Sequence, residues 1–188
     1  MRLDTQTGLR LLEEAKSGLV TFDIESTGLK ADYGTPICVS FKPYGKKPFT
    51  LSVKELGNDK AMLKETAKIL SSYECWMTYY GSLFDIKMLN TRMLKHGLDP
   101  LPKRLHIDLY FKLKNHLLLN GKSLGNVGRF LKCGEEKMSV HQDVWAEMGF
   151  QMKKHLPVMI ERCESDTILL ENVYDKTKHL IGSVDRWK

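Results

Sequence analysis

The sequence predicts an α/β protein in which a mixed central β-sheet, an antiparallel meander followed by parallel strands, is flanked by α-helices. Three features carry the prediction. Three short β-prone runs come first, separated only by turns that contain Gly and Pro. Helical and strand patterns then alternate, as in folds where helices pack on a sheet. A long stretch with helical apolar spacing closes the chain.

Thr7 to Lys16 sets Leu9, Leu11, Leu12 and Ala15 among charged residues and reads as a short amphipathic helix. Leu19 to Glu25 reads as the first strand, and Gly28 and Gly34 bracket the turn after it. Ile37, Val39 and Phe41 alternate within Pro36 to Tyr44, the second strand. Gly45-Lys46-Lys47-Pro48 turns the chain into a third, Phe49 to Val53. Asp59 to Ser71 is a helix with Met62, Leu63, Ala67, Ile69 and Leu70 on its apolar face. Cys75 to Tyr80 is a strand and Ser82 to His96 a helix, and Gly97 fits the position just past a helix C-terminus. Pro100 and Pro102 lead to a brief strand, Leu105 to Asp108. Leu109 to Leu119 is expected to be helical with Asp108 as its cap, and Ser123 to cap a short helix through Leu131. Pro157 fits the first turn of a last helix running to about Leu180. With no linker and no internal repeat, residues 1–188 are expected to form one domain.

No apolar run approaches the roughly 20 residues that cross a membrane. The N-terminal residues carry acid early, so no signal peptide is expected. Cys38, Cys75, Cys133 and Cys163 match no zinc pattern and are expected to be reduced thiols of a cytoplasmic protein. The net charge of +6 is unevenly placed. Between Ile86 and Lys137 stand 11 Lys and Arg against 4 Asp and Glu, a local +7. Such a region suits a polyanionic partner, or is a solvated face.

The informative stretch is Phe22-Asp23-Ile24-Glu25-Ser26-Thr27-Gly28-Leu29, at the end of the first strand. Side chains two apart on a strand share a face, so Asp23 and Glu25 project together. Their repulsion is costly unless a cation neutralises it, and hard oxygen ligands suit Mg²⁺ or Mn²⁺. The alternative is a strand that ends at Asp23, leaving Glu25 solvated in the turn.

Further motifs bear on the choice: Tyr79-Tyr80-Gly81-Ser82-Leu83-Phe84-Asp85, His106-Ile107-Asp108-Leu109-Tyr110, Ser123-Leu124-Gly125-Asn126-Val127, and Glu161-Arg162-Cys163-Glu164-Ser165-Asp166. Together with the first motif, and in this order from about Leu19 to Tyr174, they resemble the DEDD superfamily of 3′→5′ exonucleases. Within it the layout is most similar to the exonuclease domains related to family B DNA polymerase proofreading domains. The resemblance implies a ribonuclease H-like fold and a two-metal hydrolase of single-stranded nucleic acid, DNA favoured, that works from a 3′ end. It implies Asp23, Glu25, Asp85 and Asp166 as the metal-binding, catalytic carboxylates, holding two Mg²⁺ or Mn²⁺ ions. Asp23 would be the shared ligand, Glu25 and Asp166 would complete the site of the metal that carries the attacking water, and Asp85 would hold the second metal through water. Thr27, Gly28, Leu29, Tyr80 and Phe84 would line the place of the terminal nucleotide. A replication or repair polymerase is the protein partner it suggests.

The chain departs from the family in the last motif. The family has Tyr four residues, or His five residues, before the final Asp, and here those positions hold Arg162 and Glu161. Three readings of Arg162 stand: an ion-pair partner of Asp166 or a neighbouring carboxylate, a contact to the scissile phosphate, or the mark of an impaired site. Glu161 is the auxiliary base candidate, although its spacing turns it off the Asp166 face. A catalytically impaired nucleic-acid-binding protein and a structure-specific endonuclease are the alternative functions. Tyr80 stands where the family has Asn. His155 is expected on the surface, and Trp76, Trp145 and Trp187 are expected to serve packing.

Overall fold

The apolar alternation of the first strand sets the layers of the molecule. Strand β1 (Leu19–Ser26) sends Val20, Phe22 and Ile24 to one face and Leu19, Thr21, Asp23 and Glu25 to the other. The computed structural model describes residues 18–134, 138, 140–181 and 185–186. The expected helix Thr7 to Lys16 and Trp187 lie outside them.

Strand β1 pairs antiparallel with β2 (Pro36–Pro43), which pairs antiparallel with β3 (Phe49–Ser52). On its other edge β1 pairs in parallel with β4 (Cys75–Thr78), and β4 in parallel with β5 (Leu105–Asp108). A two-residue strand that the sequence does not announce, β6 (Asp185–Arg186), adds antiparallel to β5. The sheet order is β3-β2-β1-β4-β5-β6, so the strand of the paired carboxylates is central. The expected meander followed by parallel strands is present.

Helices α1 (Lys60–Ser71) and α2 (Asp85–Lys95) cover the face of Val20, Phe22 and Ile24. Trp76 is fully buried there and donates its ring N–H to the Leu70 carbonyl at 2.9 Å. Truncating a buried side chain of this size typically costs about 3–5 kcal/mol. The opposite face carries α3 (Leu109–Leu113), α4 (Leu124–Phe130) and the long α5 (Gln142–Thr177), followed by a 3₁₀ turn at Lys178–Leu180. Helix α5 lies across β1 and β2. Lys42 and Glu171 anchor it there through a buried ion pair of 2.5 Å.

Three sequence expectations give way. Helix α5 begins at Gln142 rather than Pro157, with a break at Gln151 (φ −124°, ψ 35°). Met148, before the break, and Met159, after it, both pack on Ile37 of β2, so tertiary burial extends the helix upstream of the proline. The expected helix to Leu119 stops at Leu113. Beyond it Leu117 and Leu119 turn inward while Leu118 is exposed, a period of two rather than a helical one. Helix α2 begins at Asp85, because 79–84 form a turn instead of the end of a strand and a first helical turn.

A candidate metal centre and nucleic-acid cleft

The parallel pairing of β1 with β4 ends at Thr21 and Met77. Beyond that point β1 continues with β2 alone beside it, and its end lies open to α2 and α5. The backbone N–H of Ile24 donates to Asp85 Oδ1 at 3.1 Å. Asp85 is the first residue of α2, so one bond ties the start of that helix to the carboxylate strand.

On the α5 face, Asp23, Glu25 and Asp166 each place a carboxylate oxygen within 4.8 Å of the others. Among the described residues this is the group of acidic, His or Cys side chains that could hold a metal ion. Glu25 and Asp166 are buried and Asp23 half-buried. Three hard oxygen donors crowded in a site of low exposure fit a small divalent cation, because the mutual repulsion of such groups needs a concentrated positive charge. Glu25 belongs to the strand, not to a solvated turn. Asp85 stands apart from the trio but lines the same cleft. Its carboxyl is pushed up to about 7, chiefly by burial and further by Asp108 and Glu25, against the lowering effect of its backbone bonds.

Arg162 lies on α5 one turn before Asp166. Its Nε donates to Glu25 Oε1 at 2.5 Å, the pairing with a neighbouring carboxylate that the sequence offered as one reading. Its guanidinium also lies 5.5 Å from the ring centre of Trp145. Trp145 packs against the small core of Ile37, Met148 and Met159, as expected, and it also lines the cleft. No spacing in the sequence marks it. Glu161 is exposed and lies outside the cleft lining. Beneath the site, Cys163 Sγ donates to the Asp23 carbonyl at 3.3 Å. Burial, with Cys38, Asp23 and Glu25 nearby, holds that thiol protonated. His155 is buried rather than on the surface, bonded to Glu147 at 2.7 Å.

The cleft, about 480 Å³, is walled by the loop after β1. Thr27, Gly28, Leu29, Tyr80 and Phe84 all line it, and Leu29 is 80% exposed. Thr27 N–H bonds to the Thr35 carbonyl at 3.0 Å, and Thr35 N–H returns a bond to Thr27 Oγ1 at 3.0 Å. Gly34 is required inside this closure, because a Cβ there would lie 2.7 Å from the Gly28 carbonyl oxygen. Arg92 ties the loop to α2 by donating to the Ala31 carbonyl at 3.4 Å. Arg92 also forms a two-pronged pair with the fully buried Asp59 at 2.7 and 2.9 Å, and His96 joins it at 2.6 Å. Burial raises the Asp59 pKa, but Arg92 and His96 outweigh it and hold the carboxyl below its ordinary value.

A second cleft of about 470 Å³ shares Asp23, Asp166, Tyr79 and Tyr80 with the first and extends past Tyr110 to Lys122 and Ser123. Tyr80 stands between the two in a left-handed conformation (φ 67°), which costs a non-Gly residue about 1 kcal/mol or more. Asp108 holds it there. Its carboxylate accepts the Tyr80 N–H at 2.8 Å and both the N–H and the hydroxyl of Ser82 at 2.9 and 2.5 Å. Asp108 therefore caps this turn and makes no side-chain cap to α3, contrary to the sequence expectation. Tyr80 stacks on Phe111 (5.7 Å, 17°) and meets Tyr110 edge-on at 5.0 Å. Sequence reasoning missed Tyr110 and Lys122 as cleft residues.

No curated protein matches the chain. Among solved structures, the chain resembles a family B DNA polymerase from the hyperthermophilic archaeon Pyrobaculum calidifontis, with a TM-score of 0.69 and 14% identity over 85% of this chain. It spans about a quarter, 24%, of that polymerase's length. The likeness shows the fold, a ribonuclease H-like one. Residues 20–177 match the family described as the RNase_H superfamily, and the chain belongs to it.

Proposed function

We propose that this protein is a divalent-metal-dependent 3′→5′ exonuclease that removes nucleotides from single-stranded nucleic acid, DNA in preference to RNA. The observation that carries the reading is the convergence of Asp23, Glu25 and Asp166 from β1 and α5 where two clefts meet. A bond to be cut is held on both sides only where two binding spaces share the reacting centre. The first cleft takes the terminal nucleotide, with Thr27 and Gly28 as its backbone wall and Leu29, Tyr80 and Phe84 as its apolar contacts. The second takes the preceding nucleotide against Tyr80 and Tyr110, with Lys122 beside its phosphate.

Asp23, Glu25 and Asp166 would hold Mg²⁺ or Mn²⁺, with Asp85 beside a second ion. Bound there, such ions supply Lewis-acid charge to the phosphoryl oxygens and lower the pKa of water. The chain's own groups orient the strand. Asp108 fixes Tyr80, and the bonded loop from Thr27 to Thr35 fixes the wall of the terminal site. A guanidinium offers donors and no acceptor, so Arg162 is no general base. A DNA polymerase acting on the same strand is the partner class that fits.

Arg162 bonded to Glu25 favours one second reading, a nucleic-acid binder with an impaired centre. The test is digestion of a 5′-labelled linear single strand and of a closed single-stranded circle, in Mg²⁺, Mn²⁺ or EDTA. A metal-dependent ladder on the linear strand with the circle intact is expected. Cleavage of the circle makes the protein an endonuclease, and binding without cleavage makes it a binder.

A further inference from the structure

We infer that Arg162 couples cation binding to substrate binding: it holds Glu25 in the resting protein and yields it when a phosphodiester enters the cleft. The inference rests on the metal-dependent reading above. Arg162 Nε already occupies Glu25 Oε1 at 2.5 Å, and Glu25 is one of three carboxylates whose ligand oxygens lie within 4.8 Å of each other. A divalent cation recruiting Glu25 therefore meets a guanidinium within a few ångströms. A guanidinium is a delocalised cation, so the two positive charges repel across Glu25. The guanidinium and the cation compete for one carboxylate.

The cleft gives Arg162 an alternative partner. Arg162 lines it together with Asp23 and Asp166, so a phosphodiester bound against the metal ligands lies within reach of the same side chain. Guanidinium groups bind phosphate through paired N–H donors. Trp145, 5.5 Å below the guanidinium, offers a flat surface over which the group can turn without losing its cation–π contact. Each transfer of Arg162 from Glu25 to phosphate opens Glu25 to the cation. Linkage then requires the converse, that the cation raises affinity for the phosphodiester by the same factor. Arg162 is by this account a positioning residue, which keeps the centre weakly metallated until a strand is present.

The experiment is a calorimetric titration of Mn²⁺ into the full chain, as wild type, Arg162→Gln and Arg162→Lys. Each is measured alone and with an oligothymidylate whose terminal linkage has carbon in place of the bridging 3′ oxygen, so that it resists hydrolysis. In the wild type the oligonucleotide is expected to raise Mn²⁺ affinity about tenfold or more, within the usual range of coupling between sites. Arg162→Gln is expected to bind Mn²⁺ tightly without the oligonucleotide and to show little further gain. Arg162→Lys keeps the charge and is expected to retain coupling. A merely structural arginine leaves the coupling factor equal in wild type and Arg162→Gln, which overturns the inference. Oligonucleotide affinity of the wild type with and without Mn²⁺ gives the reciprocal factor without any variant, and a factor of one also overturns it. If no form binds Mn²⁺ under either condition, the metal-dependent reading itself fails.

Discussion

Asp85 accepts the backbone N–H of Ile24 at 3.1 Å, so the carboxylate carried by α2 is bonded to the strand that carries Asp23 and Glu25. One oxygen of Asp85 thus has a structural task that an amide can perform. Asp85→Asn is expected to fold normally and to lose hydrolysis about a hundredfold or more, because it keeps the acceptor and drops the charge. The folded carboxyl is pushed up to about 7, above its unfolded value of 3.8, so the native state binds its proton more tightly. Stability without metal therefore falls as pH rises from about 4 to about 7 and is level above that. Denaturant titrations across this range should show that component in the wild type and not in Asp85→Asn.

Asp59 has the opposite sign. Arg92 and His96 hold its carboxyl below the ordinary value, so its contribution is fully present above pH about 4 and is lost as pH falls through the folded pKa. Asp59→Asn leaves Arg92 buried without its counter-charge and should cost about 3–5 kcal/mol at pH 7. The difference between wild type and variant should shrink in acid. Because Arg92 also holds Ala31, the terminal-nucleotide loop should become more susceptible to proteolysis in the variant.

The second cleft predicts a dependence on substrate length. Tyr110→Ala should raise KM for oligonucleotides about tenfold, the scale of one lost stacking contact, and Lys122→Ala should raise it through the loss of a phosphate-facing charge. Hydrolysis of thymidine 5′-(p-nitrophenyl phosphate), which offers only a terminal nucleotide, should be unchanged. Equal effects on both substrates would place these residues in the first cleft or in the fold.

Asp108→Ala removes the acceptor of three donors, the Tyr80 N–H and both groups of Ser82. Leaving partly buried donors unpaired costs about 1–3 kcal/mol each at most. The left-handed Tyr80 is then free to relax. Thermal unfolding should show the destabilisation, and KM for oligonucleotides should rise more than for the chromogenic nucleotide.

What the sequence disclosed follows from the range of each interaction. The pairing of Asp23 with Glu25 opposite Phe22 and Ile24 is a local period of two, readable without a fold. Asp85 and Asp166 reach the same cleft only through the β1–β4 crossover and the crossing of α5, and nothing in their spacing says so. The motif resemblance named them; periodicity could not. Pro157 misled because proline favours a first helical turn, whereas Met148 and Ile37 anchor the helix further upstream. Asp108 misled similarly. It stands one residue before a helix, but its carboxylate is spent on a turn 26 to 28 residues away in sequence. Trp145 and Arg162 meet across the break at Gln151, a contact no helical spacing encodes.

The most direct test of the central claim is the identity of the product. Wild type and Asp23→Asn are incubated with single-stranded DNA and Mn²⁺, and the released species are analysed by mass spectrometry over time. Nucleoside 5′-monophosphates released one by one from the 3′ end by the wild type, and absent with Asp23→Asn, are the predicted result. Equal release by both proteins, or release of longer fragments from within the strand, would contradict the assignment of Asp23, Glu25 and Asp166 as the centre of an exonuclease.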